Sequence, residues 1–317
     1  MLDHRSPYLP LEANALPQTG GDAPQRALAQ SSAFHRALLA AGQYPMLLPE
    51  LDNMLVTRRR VLGSLPLAMI NRGRHDDPAQ LVQLLRANGL GRTPVILSPD
   101  HPCPELIEIG ALPLISPAAV AVLNLQKTAA ERQAALHQKW RNRLTHAQSN
   151  RLEIRRQTMP QDKDHWLLTA DAAQQRQRGY RSWPIALTLA YAQANKGQAK
   201  LFQAFEGGTP IAAILILRHG LRASYHIAHA TARGKALSAH NLLIWEAMSW
   251  LATEGCQQLE LGVINTEEAP GLARFKLGTG ADLQQLGGTW VLWPPLRRLL
   301  YPLARLDQAR MSATSDA

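Results

Sequence analysis

The sequence predicts an α+β chain built of two units, each a mixed and mostly antiparallel sheet flanked by helices. Three observations carry this. The chain has 317 residues, and that length sets a prior of about two domains. The second half reads strand, helices, three antiparallel strands, helix, strand, helix, strand, and the first half has a thinner version of the same order. The helix between two strands late in each half demands a crossover, so neighbouring strands there run parallel and the sheet is mixed. No repeat is visible at the level of letters, so any duplication is structural.

The expected parts are a tail over 1–27, a first unit over 28–150, a second over 151–294 and an amphipathic helix with a tail over 295–317. The stretch before residue 25 is rich in Pro, Gly, Ala and Gln, and it lacks the apolar core of a secretory signal. Ser31 to Ala41 places Phe34, Ala37, Leu38 and Ala41 on one helical face. Met54–Thr57 and Leu65–Ile70 read as strands joined through a turn at Arg58-Arg59-Arg60 and Gly63. Asp77-Pro78 opens a helix with an apolar stripe of Leu81, Leu84 and Leu85, and Asn88-Gly89 closes it. Pro94–Leu97 is a short buried strand, Pro104–Ile109 a short helix, Val120–Leu125 a strand, and Ala129–Asn150 one long basic helix.

The order then begins again. Arg151–Gln157 alternates Leu152 and Ile154 with charged neighbours, as a half-exposed strand does. Helices follow over 161–178 and 184–195. Ala199–Phe205 and Ile211–Arg218 flank Gly207-Gly208 and form a hairpin. Ala223–Ala230 is a third strand, and a polar loop over 231–238 leads into a helix from Ala239 to Thr253. Gln258–Val263 is a strand, 267–276 a short helix, and Asp282–Leu292 a last strand.

Composition narrows the partners. The formal net charge is +10 and the isoelectric point about 10.0. This favours anionic partners: nucleic acid, phosphate-bearing cosubstrates or an anionic membrane surface. Seven Lys or Arg fall between Arg132 and Arg156 against one acid, Glu153. They form either a solvated helix face or a patch for a phosphate backbone. No apolar run approaches the roughly 18–20 residues of a spanning helix. Two cysteines, Cys103 and Cys256, lie far apart without metal-ligand spacing, which fits a reducing cytoplasm. No His-x-x-x-His or Cys-x-x-Cys pair points to a metal, and no Gly-x-Ser-x-Gly elbow points to a serine hydrolase.

Four places carry candidate chemistry. The loop from Thr231 to Ser238 joins a strand to a helix N-terminus, where backbone N–H groups lack partners and an anion can sit. It offers Arg233, Gly234, Lys235 and a possible cap in Ser238, with His240 and Asn241 beginning the helix. It also fits an ordinary basic loop. The helix connection from Gln174 to Pro184 sets Arg178, Tyr180 and Arg181 where an acceptor can be gripped, although Tyr180 and Trp183 suit inward packing equally well. The tail from Pro295 to Met311 spaces its leucines helically between arginines, for docking on the protein or for an interfacial membrane contact. Pro270-Gly271-Leu272-Ala273-Arg274-Phe275-Lys276-Leu277-Gly278-Thr279-Gly280 follows the strand Leu259-Glu260-Leu261-Gly262-Val263. A lysine between a strand end and a glycine turn can meet a charged substrate, or be a solvated surface lysine.

The stretch His240-Asn241-Leu242-Leu243-Ile244-Trp245-Glu246-Ala247, then Gly255 to Gly262, then Gly271-Leu272-Ala273-Arg274-Phe275-Lys276-Leu277-Gly278-Thr279-Gly280 resembles the peptidoglycan-bridge aminoacyltransferases (the Fem family) and their wider kin with the N-acetyltransferase (GNAT) fold. Lys139-Trp140-Arg141-Asn142-Arg143-Leu144 is similar to the helix that ends the family's first domain. The resemblance covers about residues 28–293. It implies two tandem GNAT-like domains, the second being the catalytic core, in a bacterial and cytoplasmic enzyme. It also implies transfer of an activated acyl or aminoacyl group to an amine, with Lys276 at the active cleft and Phe275 supporting it. An amine attacking an ester or thioester builds an oxyanion that a fixed cation stabilises. Tyr225, Glu260 and Glu267 are candidates for the proton acceptor.

The span 231–240 departs from the acetyltransferase diphosphate pattern Gln/Arg-x-x-Gly-x-Gly/Ala. That departure favours aminoacyl-tRNA over acyl-CoA as co-substrate, with no bound cofactor or metal and with an amine acceptor such as a cell-envelope precursor. Two alternatives stand beside this expectation. One is an acyl-CoA-dependent N-acyltransferase acting on a small amine or amino acid, peripheral to the inner membrane face through 295–311. The other is a non-catalytic GNAT-fold module that binds tRNA or an anionic surface.

Overall fold

The computed structural model describes residues 26–61 and 64–293, together with Pro295 and Pro302. The expected tail up to residue 25, Gly63 and the expected helix over 295–311 lie outside the described residues, the two prolines excepted. The first half holds α1 (Ser32–Ala40), β1 (Met46–Leu48), β2 (Met54–Val61), β3 (Leu65–Gly73), α2 (Pro78–Ala87), β4 (Val95–Pro99), β5 (Leu112–Ile115) and β6 (Ala119–Asn124). Next come α3 (Ala129–Ala135), α4 (Gln138–Ser149), β7 (Glu153–Thr158), α5 (Trp166–Arg178) and α6 (Ile185–Ala194). The chain continues through β8 (Ala199–Glu206), β9 (Thr209–His219), β10 (Arg222–Ala230), α7 (Ala232–Ala236) and α8 (Ala239–Thr253). It closes with β11 (Gln258–Ile264), α9 (Pro270–Leu277), β12 (Asp282–Gln285) and β13 (Thr289–Leu292).

Local signals explain most helix ends. The Ser31 hydroxyl accepts from the Phe34 N–H, and Asp77 accepts from Gln80 ahead of Pro78. Thr128 and Glu131 form a capping box on α3. Helix α8 is apolar nearly all round, and Leu243, Ala247 and Leu251 are wholly buried, as befits a helix enclosed between a sheet and α4.

The strands form two mixed sheets with flanking helices, as the helix–strand alternation predicts. The six-stranded sheet has the order β1-β2-β3-β4-β13-β5, and the seven-stranded sheet β12-β6-β11-β10-β9-β8-β7. Each contains one parallel pair, β3 with β4 and β10 with β11; every other pairing is antiparallel. Around these pairs the sheets match: β3-β4-β13-β5 in one corresponds to β10-β11-β6-β12 in the other. The duplication is therefore structural, and each half lends its last strand to the other.

That exchange crosses the boundary drawn at residue 150 twice. β6 lies between β11 and β12, while β13 lies between β4 and β5. The single strand expected over 282–292 is two strands in different sheets, separated at Leu286-Gly287-Gly288. Neither sheet can keep its ladder if the halves part. The α2 side of the smaller sheet forms one core with Ile70, Leu81, Leu85, Leu97 and Trp290. The larger sheet buries both faces: one against α4 and α8, the other against α1, α5 and α6.

Other differences have local causes. Arg58, Arg59 and Arg60 stand within β2, paired with Ala68, Leu67 and Pro66 on β3; ladder bonds override the turn that their charge suggests. The expected long helix breaks at Leu136-His137, because Leu136 turns inward and the His137 N–H donates to the Gly278 carbonyl at 3.0 Å. The basic residues from 132 to 156 are consequently divided among α3, α4, the turn at Arg151 and β7. Arg132 is buried, Arg155 pairs with Glu153, and Arg156 lies over the Trp250 ring.

Candidate active site

The two parallel pairs differ at one point. β3 and β4 stay paired over five residue pairs, from Ala68↔Val95 to Gly73↔Pro99, across a bulge between Asn71 and Gly73. β10 and β11 pair only at Arg222↔Gln258, Ala223↔Leu259 and Ser224↔Glu260. Beyond that point each strand carries a bulge against its other neighbour, β10 between Tyr225 and Ile227 and β11 between Glu260 and Gly262. A bulge bends a strand and increases its twist. With one on each side, the strands separate toward their C-terminal ends. Gly262 takes φ +83°, a left-handed conformation that costs glycine little and other residues more.

Helix α9 brings Lys276 to this opening. Pro270 starts the helix. At its end Gly278 lies so close to α4 that a Cβ there would come within 2.9 Å of the Trp140 ring. The Lys276 side chain passes inward, 7% exposed, and its Nζ donates to the Val263 carbonyl at 2.8 Å. A Cβ on Gly262 would lie 3.5 Å from that Nζ, so the ammonium rests on the strand where β11 turns away. Burial lowers its pKa to about 8, against the attraction of Glu260. At neutral pH it remains a cation, and Nζ has three donors of which Val263 takes one.

Phe275 faces the other side of α9. Its ring centroid lies 6.1 Å from that of Trp140 and 6.0 Å from that of His240, so it wedges α9 against the start of α8. His240 and Asn241 open α8. Burial lowers the His240 pKa to about 4, leaving the ring neutral. The His240 Nε2 and the Asn241 Nδ2 are buried without a hydrogen-bond partner among the described residues. Tyr225 sits at the β10 bulge and packs on the α8 side; burial raises its pKa and holds the hydroxyl protonated.

The remaining sequence candidates have other partners. Both Glu260 oxygens accept from Arg72, at 3.1 and 2.9 Å, and Arg222 lies 3.6 Å away. Glu260 is thus an ion-pair partner rather than the proton acceptor expected. Glu267 is exposed in a turn, where its N–H donates to Asn265. Arg233 is held by Glu206 at 2.7 and 2.6 Å on the surface. Gly234 packs so closely that a Cβ would fall 2.2 Å from the Ile211 carbonyl, so its role in this fold is helix packing. Lys235 is exposed and within electrostatic reach of His229 and His240.

The span 231–238 is not an open loop but contains α7, capped by Thr231 through the Gly234 N–H. Ser238 makes no side-chain cap on α8; it adopts φ +52°. Arg178 at the end of α5, and Tyr180 and Arg181 on the α5–α6 connection, are exposed. Gln174 donates to the Tyr180 hydroxyl, which donates to Asp171, while Trp183 packs inward on Phe34 at 4.9 Å.

No motif in the sequence marks Arg72, Asp171 or Trp166. Arg72 stands near the end of β3, in Asn71-Arg72-Gly73, and takes φ +57° at the bulge; only the partner sheet reveals its purpose. Asp171 is an acid among apolar helix neighbours, a faint signal of a buried charge. Among the described residues no cluster of His, Cys, Asp or Glu suits a metal ion, and no helix is long and apolar enough to cross a membrane.

Comparison with known proteins agrees with this architecture. Residues 133–280 match the family model for the acetyltransferase (GNAT) domain, Acetyltransf_6. The chain is similar in structure to FemX, with a TM-score of 0.68 and 12% identity, over 88% of this chain and 95% of that one. It is similar to L-PGS from Bacillus licheniformis, with a TM-score of 0.52 and 12% identity, over 86% and 95% of the two chains. The C-terminal DUF2156 domain of a candidate lysylphosphatidylglycerol synthetase from Agrobacterium fabrum gives 0.55 and 14%, over 87% and 92%. No curated protein sequence matches significantly. At such identities the likeness is one of fold, and the family match places the separated strands and Lys276 inside the GNAT domain. Residues 133–280 thus carry the match to the acetyltransferase (GNAT) domain family, and the overall fold is similar to that of FemX.

Proposed function

We propose that this acyltransferase is of Fem type, moving an aminoacyl group from aminoacyl-tRNA to an amine in the opening between β10 and β11. The observation that carries the reading is Lys276: a buried cation fixed on the edge of β11 where the strands part. In the reaction the acceptor nitrogen attacks the ester carbonyl and a C–N bond forms. The tetrahedral oxyanion forms within reach of the Lys276 ammonium, a preorganised donor in a low-dielectric site. Collapse breaks the C–O ester bond, and the proton lost by the amine leaves with the ribose oxygen. Phe275 fixes α9 so that Nζ holds its place.

Charge and loop chemistry support tRNA as the donor. The net charge is +10, which favours a polyanion. The segment before α8 lacks the diphosphate pattern, and its Arg233 is already paired with Glu206. One structural neighbour is a candidate lysylphosphatidylglycerol synthetase by name, and that name denotes an aminoacyl group attached to a lipid. A cell-envelope acceptor and a cytoplasmic setting follow from the same analogy. Acyl-CoA is the second reading, favoured by the match of residues 133–280 to the acetyltransferase (GNAT) domain.

The two donors separate experimentally. Thermal shift with coenzyme A is compared with retention of aminoacyl-tRNA at physiological salt. The tRNA reading expects retention and little shift. Stabilisation by coenzyme A without tRNA retention overturns it.

A further inference from the structure

Asp171 on α5 is 8% exposed. Its neighbours are neutral: Gln175 Nε2 donates to one oxygen at 2.7 Å and the Tyr180 hydroxyl approaches the other at 3.4 Å. Among the described residues no lysine or arginine lies within ion-pairing distance of it. A carboxylate has about four acceptor positions, so about two remain unfilled. A buried carboxylate without a cation is costly to the fold, and a cation brought by a ligand removes that cost.

The place fits such a ligand. Helix α5 covers β10 on the face opposite α8. Trp166 meets His229 of β10 edge-on at 6.1 Å, and its indole Nε1 is buried without a partner among the described residues. Asp171 lies within electrostatic reach of His229, which sits on the part of β10 that has left β11. The group thus runs from the exposed Tyr180, through Asp171, to the wall of the opening. Burial and Lys235 lower the pKa of His229, so its ring is neutral at pH 7 and does not supply the missing charge.

We propose that Asp171, flanked by Tyr180 and His229, binds a primary ammonium group of the substrate that does not itself react. This rests on the acyl-transfer reading above and names a substrate class within it. The attacking amine must be neutral, whereas a carboxylate holds an amine in its protonated form. The bound ammonium is therefore a second one. Two sources share this chemistry: the α-ammonium of an aminoacyl donor, and a remote amine of a diamine acceptor.

Calorimetric titration of the full chain with alaninamide, N-acetylalaninamide and 1,4-diaminobutane tests it without any donor, so failure of the aminoacyl-tRNA reading leaves the result readable. Alaninamide, diaminobutane or both are expected to bind. Acetylation of alaninamide, or Asp171→Asn, should weaken binding about tenfold or more, the scale of one charge-assisted hydrogen bond. Binding of alaninamide assigns the site to the donor, and binding of diaminobutane alone assigns it to the acceptor. Lys276→Met should leave probe binding unchanged. Absence of binding by both ammonium probes at millimolar concentration overturns the proposal, as does equal binding of acetylated and free alaninamide. Unchanged affinity in a folded Asp171→Asn protein also overturns it. The comparison of probes on the native chain needs no variant.

Discussion

Arg72 of β3 and Glu260 of β11 meet as a two-point pair across the two sheets, with N–O distances of 3.1 and 2.9 Å. Arg72 also pairs with Asp100. The guanidinium thereby joins the end of one sheet to the strand on which Lys276 rests, and its own backbone is left-handed to reach there. Breaking a buried pair from one side leaves an uncompensated charge. Arg72→Met is expected to cost about 3–5 kcal/mol in denaturant unfolding. Replacing Glu260 by Met as well should recover much of that loss. A single variant as stable as the native chain contradicts the bridging role.

Burial brings Lys276 from its ordinary 10.5 to about 8. If its charge stabilises the oxyanion, single-turnover transfer falls as pH rises through 8. The stability effect has the opposite direction. Between about pH 8 and 10.5 the unfolded chain keeps a proton that the folded chain has released, so stability rises with pH across that window. Below pH 8 the cost of the buried cation is present in full. Denaturation midpoints at pH 7.5 and 9.5, read against Lys276→Met, should show the native chain gaining on the variant. A constant difference contradicts the buried-ammonium account.

Gly234 has the sequence look of a phosphate-loop glycine, but its surroundings call for packing. A Cβ there meets the Ile211 carbonyl at 2.2 Å, so Gly234→Ala should cost about 1–3 kcal/mol through overpacking. Arg233→Ala loses only an exposed pair and should change stability far less than Gly234→Ala does. Thermal unfolding of the two variants checks the contrast, and equal small effects would remove the packing role.

The fold class was legible because it depends on local order. The helix from Ala239 to Thr253 was readable to the residue, its apolar run being closed by Glu254-Gly255. The mixed sheets followed from helices placed between strands. The exchange of β6 and β13 was not legible: both are short apolar strands, and nothing within them names a partner sheet. Arg58 to Arg60 misled because strand pairing outweighed their charge. The site was legible only around α9, where glycines, Phe275 and Lys276 stand together in sequence. Asp171 and Arg72 owe their meaning to burial by distant elements, which no spacing records. Glu260 looked like a free carboxylate for the same reason: its partner lies 188 residues away.

The central claim is that the Lys276 ammonium acts in acyl transfer at the opening between β10 and β11. Single-turnover transfer by Lys276→Met, with the donor identified by thermal shift and tRNA retention, tests it most directly. The variant removes the charge while keeping the apolar stem, so it should stay folded and bind donor. The account predicts a loss of about 10²–10³-fold in the rate of transfer. A folded variant that transfers within about twofold of the native rate, well below one decade in rate, would contradict it.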